Sequence, residues 1–144
     1  MKFSKLLFGG RELYDGPGIA DSVRQNAIFE QAESLSSNDR LLIFDTRLQR
    51  TWLLASNRRL YCVLDDVRKE KPGVQWTMLR EELVSENEVS VYLQVREQKK
   101  GKSEKTGVLD IGSRPRSWLY SKWLFQKGSL EQQVRELIKR RMLE

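Results

Sequence analysis

The 144-residue chain contains no histidine, one cysteine and three prolines. Without histidine there is no Ser–His or Cys–His couple, no imidazole proton shuttle and no histidine metal ligand. A single thiol, Cys62, excludes an intramolecular disulfide and a CxxC site. No apolar run approaches the roughly 20 residues that a membrane-spanning helix needs. The opening stretch Met1–Gly10 is too short in its apolar part for a secretory signal, which predicts a cytoplasmic protein. Neither GxxxxGKS/T nor GxGxxG is present, so no phosphate-cradling loop is expected. Carboxylate pairs occur at Asp65-Asp66 and Glu81-Glu82, but neighbours on a strand point to opposite faces, so both pairs read as exposed loop ends. Cys62 falls inside an apolar strand, where burial makes a thiol inert. The expectation is a protein that is not an enzyme, with no metal and no cofactor.

Charge is what the chain has in excess. Lys and Arg number 26 against 20 Asp and Glu, for a net charge of +6. Residues 95–144 alone hold 13 basic and 6 acidic side chains, so the basicity belongs to the last third. Such asymmetry points to an acidic partner, although solvated loops also carry Lys and Arg for solubility. With 39% hydrophobic residues, the chain can build one modest core.

Along the chain, residues up to about 17 read as a loosely held, glycine-rich arm. Val23, Ala27, Ile28, Ala32 and Leu35 recur at helical spacing and predict a helix over Ala20–Leu35, capped by Asp21 or Ser22 and ended by the Ser/Asn/Asp cluster behind it. Strands follow at Leu41–Phe44, Thr51–Ala55 and Leu60–Leu64, the last two joined by the tight polar link Ser56-Asn57-Arg58-Arg59. Asp65-Asp66 and residues 69–73 are expected in an exposed loop. Val74, Trp76 and Met78 alternate with polar residues, as do Val89, Val91, Leu93 and Val95, which is the period of a half-buried strand. Glu97–Lys105 reads as a long hairpin tip, with Val108–Ile111 returning, and Arg114–Phe125 fits a strand or a short helix. Ser129 and Gln132 form a capping-box pair before an amphipathic helix with Leu130, Val134, Leu137, Ile138 and Met142 on one face. Lys139, Arg140 and Arg141 close it, where cations favour the helix dipole.

The run from Thr51 to Val63, an apolar strand, a polar turn, a basic pair and a second apolar strand, resembles the second and third strands of pleckstrin-homology-like (PH-like) domains, in particular bacterial PH and GRAM-type members. With the closing helix at Ser129–Met142, the likeness covers residues 39–142. It implies a mainly β, α+β fold. In that fold a strongly bent antiparallel sheet of about seven strands forms a partly open barrel, capped by the C-terminal helix. Residues 1–38 would be an arm and helix packed on or extending the domain of residues 39–144. The resemblance implies phosphoinositide-type contacts around the loop joining the first two strands, which maps to Arg47 and Arg50. Phe44-Asp45 stands where the family's lipid-binding pattern begins with a Lys.

The residues themselves single out Lys99, Lys100, Lys102 and Lys105 in one loop, followed by Arg114 and Arg116. Near an anionic membrane each such residue adds about 1 kcal/mol. The function expected is a non-catalytic binding or assembly module whose basic surface engages an acidic membrane or a phosphate-bearing ligand, placed in the cytoplasm or peripherally at the inner membrane surface. The alternative is a protein-interaction or self-assembly domain in which the basic loop is solvated surface, and in which exposed strand edges join copies as a homo-oligomer. Nucleic acid is disfavoured, because Trp118, Tyr120 and Trp123 read as core or helix-seat residues rather than stacking platforms. The arm residues Phe3, Leu6, Leu7 and Phe8, next to Lys2 and Lys5, form a short amphipathic segment for docking on the domain itself, the favoured expectation, with a partner or a membrane surface as the open alternatives.

Overall fold

The computed structural model describes residues 10–85, 88–89, 93–100, 104–111, 116–120 and 127–143, with side chains placed at 10–84 and 132–143. Chain order is helix α1 (Gly16–Arg24), strands β1 (Arg40–Asp45), β2 (Gln49–Ala55), β3 (Arg59–Asp66) and β4 (Gly73–Leu79), and a short helical turn α2 (Arg80–Leu83). It continues with β5 (Val84–Ser85), β6 (Glu88–Val89), β7 (Leu93–Lys100), β8 (Glu104–Ile111), β9 (Arg116–Tyr120) and helix α3 (Lys127–Ile138), and a wide π-type turn at Lys139–Leu143 ends it. Strands β1 to β4 form an antiparallel meander, β7 to β9 form a second, and β5 pairs with β6. The fold is mixed α+β, and the four-stranded sheet is open, with β1 and β4 at its edges.

The central strands β2 and β3 are buried on both faces, which accounts for their unbroken apolar runs. On one face Leu53, Ala55, Leu60 and Cys62 pack with Val134, Leu137, Ile138 and Met142, the stripe expected of the C-terminal helix. On the other, Trp52, Leu54, Tyr61 and Val63 pack with Ile19, Ala20, Val23 and Leu35 of the N-terminal segment. A barrel wall would leave its outer face to water, whereas here that face is roofed. Helix α3 lies against β1 and also touches β7.

Two bulges decide which side chains enter which layer. The β1–β2 register shifts between Leu42 and Phe44, so the successive residues Ile43 and Phe44 both reach the α3 face while Leu42 stays exposed. The β3–β4 register jumps between Cys62 and Val63, leaving Gln75 without a partner. As a result Trp76 packs on the α3 face and Val74 on the opposite one, although simple alternation predicts a shared face.

Several expectations are corrected. The first helix starts four residues earlier than expected and stops at Arg24: Asp15 is its cap, accepting from the Gly18 N–H at 2.7 Å, and Pro17 suits the first turn. Ala27, Ile28 and Ala32 are exposed, in a turn-rich segment rather than on a helical stripe. In the expected tip at Glu97–Lys105, residues 97–100 and 104–105 are paired strand, and residues 101–103 lie outside the described residues. Residues 116–120 are strand. Ser129 lies inside the first turn of α3, which begins at Lys127, two residues before the position expected to cap it. Asp65 and Asp66 are buried at the end of β3, not exposed in a loop. Residues 1–9, and with them the amphipathic arm, lie outside the described residues.

Candidate anion-binding surface and its charged surroundings

The β7–β8 ladder sets Lys99 opposite Lys105 and Lys100 opposite Glu104. Directly opposed residues in an antiparallel pair have Cα atoms only about 4.5–5.5 Å apart, and like charges there repel. The end of this ribbon therefore sets one like-charge pair, Lys99 and Lys105, beside one opposite-charge pair, Lys100 and Glu104. Arg116 pairs with Ile111, at the far end of β8. At about 3.3 Å per residue it stands roughly 20 Å along the strand from Lys105. The structure thus brings together Lys99, Lys100 and Lys105 and separates Arg116 from them. Lys102 and Arg114 lie outside the described residues.

The loop between β1 and β2 behaves differently. Arg50 donates from Nε to Asp45 Oδ1 at 3.1 Å and from Nη1 to the Tyr14 carbonyl at 3.1 Å. Asp45 is therefore the ion partner of Arg50, and Arg50 is a structural tie between this loop and the N-terminal segment. Arg47 is exposed at the turn, on the four-stranded sheet.

Arginines elsewhere in the described residues answer buried carboxylates. Glu33, whose side chain is fully buried, accepts from Tyr61 Oη at 2.6 Å and Ser56 Oγ at 2.7 Å, and Arg59 Nε stands 3.5 Å away. Burial first, then the hydrogen bond to Glu33 and its charge, push the Tyr61 hydroxyl well above the usual phenol range. Asp39 holds Arg141 Nε at 2.9 Å and Arg140 Nε at 3.5 Å, and Arg141 also donates to the Ser34 carbonyl. The terminal basic residues thus do more than complement a helix dipole: they tie the last turn to the start of β1. Asp65 accepts from Arg11 Nη2 and from the Tyr14 N–H at 2.5 Å. Asp66 accepts from Gln49 Nε2 at 2.8 Å and from Arg68 Nε at 2.9 Å. Hydrogen bonds from Arg68 and Gln49 outweigh desolvation and hold Asp66 well below the usual carboxylate range.

The arm beyond Gly10 is bound tightly for the same reason. Arg11 donates from its backbone N–H to the Val67 carbonyl at 3.0 Å and from Nε to the Lys69 carbonyl at 2.9 Å. A Cβ at Gly10 would sit 2.0 Å from the Val67 oxygen, so the close approach requires glycine. Sequence reasoning missed Asp65 and Asp66 as anchors. The available signal was their position directly behind the apolar run of β3, within reach of a returning arginine.

Cys62 is completely buried, and desolvation pushes its thiol far above the ordinary range. Among the described residues no three His, Cys, Asp or Glu side chains converge as a metal-ligating group. Among the same residues no helix is long and apolar enough to cross a membrane. No family model matches the chain, and no curated protein or solved structure matches it either.

Proposed function

We propose that the chain is a non-catalytic binding module whose basic β7–β8 hairpin docks on an anionic membrane surface, giving it a peripheral location. The observation that carries this reading is the register that sets Lys99 against Lys105 with Lys100 beside them. Lys102 joins them in sequence, so four of the seven residues from 99 to 105 are lysine and Glu104 is the one acid. Clustering like charge at a hairpin end opposes folding of the ribbon, and an anionic surface relieves the repulsion. At about 1 kcal/mol per basic residue near such a surface, four lysines raise partitioning by roughly two to three orders of magnitude. A PH-like build agrees with the order of a four-strand meander, a three-strand meander and a closing helix that touches β1 and β7.

Sedimentation with phosphatidylcholine vesicles containing phosphatidylserine tests the reading. Binding at low salt that falls as salt rises, and that drops at least tenfold when Lys99, Lys100, Lys102 and Lys105 become Ala, is the expected result. Equal binding by the quadruple variant, or none with anionic vesicles, overturns it.

A second reading, self-association, draws on the open sheet edges, where Leu42 on β1 and Leu79 on β4 are 38% and 42% exposed. A concentration-independent monomer mass in light scattering counts against it.

A further inference from the structure

Of the two open edges of the four-stranded sheet, β4 is the less guarded. Strand β1 has helix α3 against it, and it begins and ends on charges that are already engaged. The Arg40 guanidinium lies 5.9 Å from the Trp52 ring centroid, and Asp45 holds Arg50. From Gly73 to Leu79, β4 carries no charge and no proline, residue types that commonly blunt an edge. Its backbone is aimed outward at defined places. The Arg80 N–H donates to the Arg58 carbonyl at 2.7 Å, on the β3 side. The alternation of a strand then turns the N–H and C=O groups of Leu79 and Thr77 away from β3, toward the open side.

We infer that β4 pairs antiparallel with β4 of a second copy about a two-fold axis at Thr77, so that one sheet runs through both copies. This rests on the self-association reading and gives it an edge and a register. Thr77 exchanges both backbone hydrogen bonds with the partner's Thr77. Leu79 exchanges its own with the partner's Gln75, a residue that the bulge leaves unpaired on β3. Trp76 meets the partner's Met78 on the α3 face, and exposed Leu79 is covered on the other. The flanks of β4 favour a second copy over an unrelated strand. Lys69 and Lys71 precede the strand, with Glu70 between them, and Glu81 follows it. All four are exposed, and among the described residues none has a side-chain ion partner. Arg80, by contrast, is taken by the Met142 carbonyl at 2.7 Å. An antiparallel two-fold sets the start of each β4 beside the end of the other, which brings the two lysines of one copy toward Glu81 of the other at both ends of the pair. Charge within the strand would oppose its own kind across the axis, and β4 has none.

Disulfide trapping in the full chain tests this, with Cys62 buried and so unable to compete. Thr77→Cys should give a covalent dimer under mild oxidation by diamide, since opposed Cα atoms about 5.5 Å apart suit a disulfide. Leu42→Cys, on the β1 edge, should give none. Light scattering should show the mass of the parent rising with concentration toward a dimer, and Leu79→Lys should weaken that association at least tenfold. A dimer trapped by Leu42→Cys and not by Thr77→Cys overturns the β4 assignment and leaves self-association standing. So does a dimer that Leu79→Lys leaves unchanged. A parent that stays monomeric at every concentration, with neither cysteine trapped, overturns both. If Thr77→Cys does not fold, Leu79→Lys, at an exposed position, decides by itself.

Discussion

The hydroxyl of Tyr61 donates to Glu33 Oε1 across 2.6 Å, joining a central strand to a turn 28 residues earlier with both groups buried. Ser56 and Arg59 complete the shell around the carboxylate. Through this contact the turn-rich segment after α1 acquires a fixed seat on the sheet, although it has no helix or strand of its own to hold it.

Tyr61→Phe leaves Glu33 one donor short in a dry site and should lower stability by about 1–2 kcal/mol. In the native protein Tyr61 stays protonated when exposed phenols ionise. A raised native value means that stability from this group is complete below about pH 10 and is lost as pH rises above that. Ultraviolet difference titration of the parent against Tyr61→Phe should show no extra phenolate from Tyr61 until the protein unfolds. A Tyr61 that ionises with the rest refutes the burial argument.

Arg11 and Asp65 form the main anchor of the segment ahead of α1, with the Asp65 side chain fully buried and that of Arg11 19% exposed. Arg11→Ala leaves a buried carboxylate with only the Tyr14 N–H, and should destabilise the protein by about 3 kcal/mol. Asp65→Ala should cost less, because Arg11 can turn toward water. Urea denaturation of both variants, with limited proteolysis near residue 12, checks the order. Equal losses would mean that the pair acts as a surface ion pair.

Asp66 sets an acid dependence. Its native value is depressed by Arg68 and Gln49, so its contribution is present at neutral pH and declines as pH falls below about 4. Asp66→Asn should be less stable than the parent by about 2 kcal/mol at pH 7, with the gap narrowing toward pH 2. Urea midpoints at both values measure this, and a gap that is constant with pH excludes the linkage.

Cys62 should be unreactive to an aromatic disulfide reagent in the native state at pH 8 and react fully in denaturant, since burial both shields the thiol and keeps it protonated. Rapid native labelling would place the thiol at the surface.

Helix α3 and strands β1 to β4 were legible because their signals are local. Val134, Leu137, Ile138 and Met142 repeat at helical spacing, and Ser56-Asn57-Arg58 interrupts two apolar runs. Failures came where a distant partner changes the meaning of a residue. Asp65 and Asp66 look like loop punctuation until Arg11 and Gln49 arrive from elsewhere in the chain, with Arg68 closing on Asp66 from two residues away. Arg50 reads as a free phosphate ligand until Asp45 and the Tyr14 carbonyl occupy it. Glu97–Lys105 reads as a solvated tip because strand pairing of charged residues leaves no hydrophobic period to detect.

Composition by itself set the absence of histidine chemistry, the single thiol and the concentration of basic residues in the last third, since these depend on residue identity alone. Local pattern set the amphipathic stripe of α3 and the hairpin between β2 and β3, since hydrogen-bond periods of helix and turn operate within a few residues. Only the tertiary structure decided that the four-stranded sheet is covered on both faces, that two bulges redirect side chains of β1 and β4, and that Lys99, Lys100 and Lys105 stand apart from Arg116. Those outcomes depend on which segments meet across tens of residues, where desolvation of apolar faces and pairing of buried charge act.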